Sequence, residues 1–118
     1  MAMIEATAPV RYRDGTAIVD LPAQIDATAE RALNEAYATA AAHGSKTVLL
    51  NFGGVEFLSS TGIALIVGIL ARARKDGRVI RASGLSDHYR EIFEITRLAD
   101  FMKIYADEGA ALKGEGTK

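Results

Sequence analysis

Thr47-Val48-Leu49-Leu50-Asn51-Phe52 is a nearly continuous apolar run of strand length. A strand with one wet face alternates apolar and polar residues, so a run without alternation must be covered on both faces. It therefore predicts a central strand with structure packed on either side. The elements around it fit that demand. Ile4, Ala6, Ala8, Val10 and Tyr12 alternate at strand period, and Pro9, lacking an N–H, places this strand at a sheet edge. Asp14-Gly15 is a hairpin turn signal, with Thr16 to Leu21 as the return strand. Asp26 or Thr28 can cap a first helix, whose stripe Ala29, Ala32, Leu33, Ala36, Tyr37 and Ala40 has helical spacing and which Gly44 ends.

After the central strand, Gly53 to Ser59 reads as a loop. Ser59 or Ser60 can cap a second helix that reaches Asp76, with Arg72, Arg74 and Lys75 in its last turns and Gly77 behind it. Val79, Ile80 and Ala82 make a short strand, and Ser86 or Asp87 caps a third helix carrying Tyr89, Ile92 and Phe93. Phe101 to Ala106 is a last strand, Asp107 to Leu112 a last helical turn, and residues 113–118 a tail. The order β-β-α-β-α-β-α-β predicts one α/β domain over residues 1–118, with its core at about 4–112. Its sheet is mixed and mostly parallel, opened by a hairpin and packed with helices.

Composition narrows the function. At 118 residues, 49% hydrophobic and 25% charged, the chain has the make-up of a soluble globular domain. Fourteen Lys and Arg against fifteen Asp and Glu leave a net charge of −1, so no basic field draws nucleic acid. The longest apolar run, Ile63 to Ala71, is far short of the ~20 residues of a membrane span. The first 25 residues hold no apolar signal core, and with no cysteine a cytoplasmic protein is expected. The absence of cysteine also excludes thiol catalysis and zinc thiolate sites. His43 and His88 are isolated, the carboxylates have no metal-ligand spacing, and nucleophile-elbow and phosphate-loop motifs are missing. No enzyme activity, metal or cofactor is expected. A phosphoacceptor receiver domain fails too: the central strand ends Leu50-Asn51-Phe52, without the aspartate such a domain needs.

One segment stands out, Phe57-Leu58-Ser59-Ser60-Thr61-Gly62. Capping the second helix uses one hydroxyl, and three are present with a glycine behind them. A helix start has free N–H donors and the positive end of the dipole, so a phosphate there is locally stabilised. Gly62 would leave room around an exposed hydroxyl. The helix behind is apolar on most sides, through Ile63, Leu65, Ile66, Val67, Ile69 and Leu70. Either a neighbouring helix covers it or it exposes a partner surface, which could also support a homodimer.

Together these pieces resemble the STAS domain family and, within it, the stand-alone anti-sigma factor antagonists. The resemblance runs from about Val10 to Leu112. It rests on Ala23-Gln24-Ile25-Asp26 before the first helix and Val48 to Leu58 through the central strand. The remaining pieces are Ser59-Ser60-Thr61-Gly62, Ser83-Gly84-Leu85-Ser86 and the closing turn Asp107 to Leu112. It implies that Ser60 is phosphorylated by a partner anti-sigma factor serine kinase, which the unmodified protein binds, and that a separate phosphatase resets the switch. The family's aspartate on the loop before the first helix matches Asp26. Two positions depart from the pattern: Ser59 stands where the family usually has Asp, and Asn51 where the central strand often ends in Asp. The first leaves Ser59 and Thr61 as other candidates for modification.

Loops at the carboxyl ends of parallel strands gather on one edge, so Gln24, Asp26, Glu56 and Leu85 should flank Ser59 to Gly62 there. Ile63 and Ile66 would extend that partner surface along the helix. The same fold admits a STAS subunit of a lipid-transport ABC complex that is never phosphorylated. A small nucleotide- or anion-binding domain using the helix start is a third reading. Against it, no Lys or Arg occurs from Gly53 to Leu70 to pair with phosphates.

Overall fold

The computed structural model describes residues 6–114. Strands β1 (Val10–Arg13) and β2 (Thr16–Asp20) form the opening hairpin, antiparallel, around Asp14 and Gly15 at φ of 52° and 80°. Both turn residues are left-handed, as a two-residue turn matched to strand twist requires. The chain then makes a two-residue strand β3 (Gln24–Ile25), a 3-10 turn (Ala27–Ala29) and helix α1 (Glu30–Ala42). The central run becomes β4 (Thr47–Asn51), followed by the short β5 (Phe57–Leu58) and helix α2 (Ser60–Asp76). Strand β6 (Val79–Ser83), helix α3 (Asp87–Ile95), strand β7 (Lys103–Tyr105) and helix α4 (Glu108–Lys113) complete the order.

The five main strands lie in the order β1-β2-β4-β6-β7, parallel except for the first pair. β4 is the middle strand, and both of its faces are covered. Val48 and Leu50 face the large core built with Leu33, Tyr37, Ile66, Ile69 and Phe93. Leu49 faces the other way, with Ile18, Tyr105 and Ala111 under the short α4. Ala29, Ala36 and Ala40 of the first helical segment are buried, and their small side chains bring α1 close to the sheet. The mixed, mostly parallel sheet with packed helices is the expected class.

Three expectations change at the edges. The first strand starts at Val10, not Ile4: Ala6 and Ala8 pack on the core without pairing, and Ile4 lies outside the described residues. The last strand starts at Lys103 because a 3-10 turn at Leu98–Asp100 takes the Phe101 N–H for the Leu98 carbonyl, at 3.0 Å. The last helix runs on to Lys113, with Gly114 as its left-handed end; residues 115–118 of the expected tail lie outside the described residues.

The apolar α2 is resolved by size. Ile66, Ile69, Leu70 and Ala73 are buried, and Ile63 and Leu65 are half-buried. Besides its polar ends, its exposed side is Ala64, Gly68, Ala71 and one large apolar residue, Val67 at 42%.

Candidate functional site

The loops after β2, β4 and β6 meet at one edge of the sheet, and specific contacts hold them there. β3 and β5 pair in parallel, Gln24 opposite Phe57 and Ile25 opposite Leu58. The Glu56 and Phe57 N–H groups both donate to the Ala23 carbonyl, at 2.7 and 3.0 Å. Gly84, at φ +77°, packs so tightly on the loop after β4 that a Cβ there would meet the Gly53 nitrogen at 2.8 Å. Tyr89 of α3 reaches across, its hydroxyl accepting the Leu58 N–H at 3.0 Å. These contacts fix the start of α2.

Ser59 is the cap of that helix. Its backbone is extended, its Oγ accepts the Gly62 N–H at 3.0 Å, and its own N–H donates to the Ile25 carbonyl at 3.0 Å. Its hydroxyl also points at the same carbonyl, at 3.4 Å. Ser60 is the first helical residue, exposed, and its Oγ has no hydrogen-bond partner among the described residues. Thr61 is exposed as well. The Ser60 and Thr61 N–H groups remain at the positive end of a 17-residue helix.

Gly62 plays a different part from the one expected. It is buried, and a Cβ on it would lie 2.0 Å from the Ile25 carbonyl oxygen. The missing side chain admits the β3 backbone to the helix, so the room it creates is already filled. Ile66 is also corrected: at 0% exposure it is a core residue and offers no surface to a partner.

The remaining expected residues do converge on this edge. Gln24 and Glu56 are exposed, Asp26 is half-exposed, and Ile63 and Leu85 are half-buried against the core. Asp26 caps the 3-10 turn, accepting from the Thr28 N–H and hydroxyl. Those hydrogen bonds hold its carboxyl below the usual range, so it stays ionised at neutral pH. Phe57 opens the segment that stands out in the sequence but was not among the expected contact residues, yet it is 47% exposed beside the hydroxyls, while Leu58 points inward at 6%. No periodic signal marks it in the sequence, because β5 is only two residues long.

The edge is an open surface. Two clefts of about 970 and 490 Å³ lie elsewhere, and neither is lined by Ser59 to Gly62. Among the described residues no three His, Asp or Glu are grouped to hold a metal ion, and no helix is long and apolar enough to cross a membrane. An edge with an exposed aromatic ring, exposed hydroxyls and helix N–H groups suits recognition by another macromolecule.

Comparison with known proteins places this architecture. The profile of the STAS domain matches residues 7–111, and the chain belongs to the STAS domain family. The anti-sigma-B factor antagonist of Staphylococcus aureus is 33% identical over 61 residues, 52% of this chain and 56% of the relative. The matched stretch thus covers little more than half the length of that curated relative. Among solved structures, an anti-sigma-factor antagonist (STAS) domain protein from Planctomyces limnophilus superposes with a TM-score of 0.78. It is 22% identical, with 96% of this chain and 98% of the other covered. The Bacillus cell fate determinant SpoIIAA, solved in its phosphorylated form, gives a TM-score of 0.69 at 20% identity, covering 92% of this chain and 100% of that one. These likenesses concern the fold.

Proposed function

We propose that this protein is a non-catalytic, phosphorylation-switched binding module that antagonises an anti-sigma factor. The unmodified edge binds an anti-sigma factor serine kinase. Phosphate on Ser60 ends that binding, and a phosphatase restores it. The observation that carries this reading is the division of labour between two neighbouring serines. Ser59 is consumed in capping α2, and Ser60 presents an exposed hydroxyl with no partner among the described residues. The name of the Staphylococcus aureus relative supports the antagonist role. The existence of a phosphorylated form of the structurally similar SpoIIAA supports the switch.

Binding falls to Phe57 with Gln24, Glu56, Thr61 and Leu85 around it, and the exposed Ala64 and Val67 continue the surface along α2. A phosphate at Ser60 would be received by the free N–H groups of the first turn, so the domain itself tolerates it. No Lys or Arg lies between Gly53 and Leu70 to neutralise that charge, and Asp26 adds a negative one nearby in the fold. A docked partner would therefore bury an unpaired dianion.

The test is incubation with the cognate anti-sigma factor kinase and ATP, followed by phosphopeptide mapping and binding measurements on both forms. Phosphate on Ser60, lost in Ser60→Ala, with weaker binding afterwards, is the expected result. Phosphate confined to Ser59 or Thr61, or equal affinity of the two forms, overturns it.

A further inference from the structure

The opposite end of α2 carries a second surface. A groove of about 490 Å³ runs between the last turns of α2, the start of β6 and the segment that leads into β7. Ser60 and Arg74 are fourteen positions apart on one helix, which puts this groove roughly 20 Å from the phosphorylation edge. Its floor is apolar and closed: Leu70, Ala73, Ile80 and Met102 are all less than a tenth exposed. Its rim exposes two large apolar side chains, Val79 at 50% and Phe101 at 55%. Cations border it. The Arg74 guanidinium lies over the Phe101 ring, and Lys103 stands on the strand beside it. Neither has a carboxylate partner among the described residues. Arg78 adds a third positive charge, its guanidinium turned to the Ser45 and Ala41 carbonyls. The one acid on the rim, Asp100, is already held by Arg97 at 2.7 Å.

We infer that this groove docks an acidic peptide segment that carries one bulky apolar side chain. The apolar side chain would cover Val79 and Phe101, and the carboxylates would meet Arg74 and Lys103. The chemistry favours this occupant over a nucleic acid. Three cations around an apolar groove, on a chain of net charge −1, form no track for a phosphate backbone. Exposed aromatic and aliphatic groups ringed by unpaired cations match a partner with the reverse pattern. The distance along α2 leaves room for a second protein segment while the Ser60 edge is occupied, so the inference stands apart from the proposed switch.

The test uses the whole chain, isotope-labelled for NMR. The probe is a ten-residue Asp/Glu peptide with one central Leu. Controls are the same peptide with Ala for Leu, a Lys version, and a single-stranded ten-nucleotide RNA. The expected result is saturable shifts at Arg74, Val79, Phe101 and Lys103, with the Leu peptide the tightest binder. Arg74→Glu with Lys103→Glu should weaken it roughly tenfold, as two surface ion pairs turned repulsive. Phe101→Ala should weaken it with the charges intact, and Ser60→Asp should leave it unchanged. Melting temperatures identify any variant that fails to fold. No saturable shift at millimolar peptide, shifts centred on Ser60, equal binding of the Ala or Lys peptide, or preferential binding of the RNA overturns the inference.

Discussion

Ser59 Oγ holds the Gly62 N–H and reaches the Ile25 carbonyl, whereas Ser60 Oγ has neither. The difference is energetic before it is functional. Losing a cap costs about 1 kcal/mol, while trimming an exposed hydroxyl stays within about 0.5 kcal/mol. Urea unfolding of Ser59→Ala and Ser60→Ala should show that asymmetry, and equal costs would contradict the cap assignment. The asymmetry carries over to modification. A phosphate on Ser60 adds about −1.5 to −2 charges at pH 7, and burying it unpaired under a partner costs at least ~2 kcal/mol. Under the proposed function, affinity for the anti-sigma factor should then fall roughly 30-fold or more, with the melting temperature of the free domain nearly unchanged. Ser60→Asp, with one charge and a shorter reach, should reproduce part of the loss. Calorimetry on the three forms checks this. A collapse of the melting temperature on phosphorylation would show that the modification disrupts the fold and does not act at the surface.

At the scale of elements, the site depends on β3 and β5, which are two residues each and pair only with one another. Such short strands leave no periodic signal, so the sequence reads as plain loop there, and the pairing that brings Ile25 against α2 is not legible. The same gap explains Gly62. From sequence it looks like open space, and only the tertiary contact shows a carbonyl filling it. The longer elements were legible because each carries its own pattern: an unbroken apolar run in β4, an alanine stripe in α1, cap and left-handed glycine around α2. Gly62→Ala should force β3 away from the helix and cost about 1–3 kcal/mol, as overpacking does. Tyr89→Phe should cost less, about 1–2 kcal/mol, because it leaves the Leu58 N–H without its acceptor. Chemical unfolding ranks the two, and hydrogen exchange at Leu58 should quicken in Tyr89→Phe. Unchanged exchange would mean that Tyr89 does not hold the loop.

At the scale of the whole molecule, the face of the sheet opposite the large core is covered, among the described residues, by the six residues of α4. A long-range charge network ties that helix to the other edge. Arg11 on β1 grips Asp20 with two nitrogens, at 2.6 and 2.7 Å, and reaches Glu108 at the start of α4 at 2.8 Å. Asn51 donates to Asp20 from the central strand at 2.8 Å, so the asparagine standing where the family often has aspartate spares the network a third negative charge. Hydrogen bonds from Arg11 hold both carboxyls below their ordinary values, which are 3.8 for Asp20 and 4.5 for Glu108. Arg11 is raised in turn and stays charged at every accessible pH. A carboxyl whose pKa is depressed by folding adds stability that is complete above its unfolded value and is lost as pH falls through its folded value. The network should therefore contribute fully at neutral pH and fade once the pH drops below about 4. Arg11 is 42% exposed, so water screens the attraction, and Arg11→Met should cost only about 1 kcal/mol at pH 7. The cost should shrink toward zero as acid protonates Asp20 and Glu108, because no carboxylate then remains for Arg11 to hold. Unfolding curves of both proteins at stepped pH values measure the gap directly. A gap of constant size from neutral to acidic pH would show that Arg11 acts through packing of its aliphatic stem and not through charge.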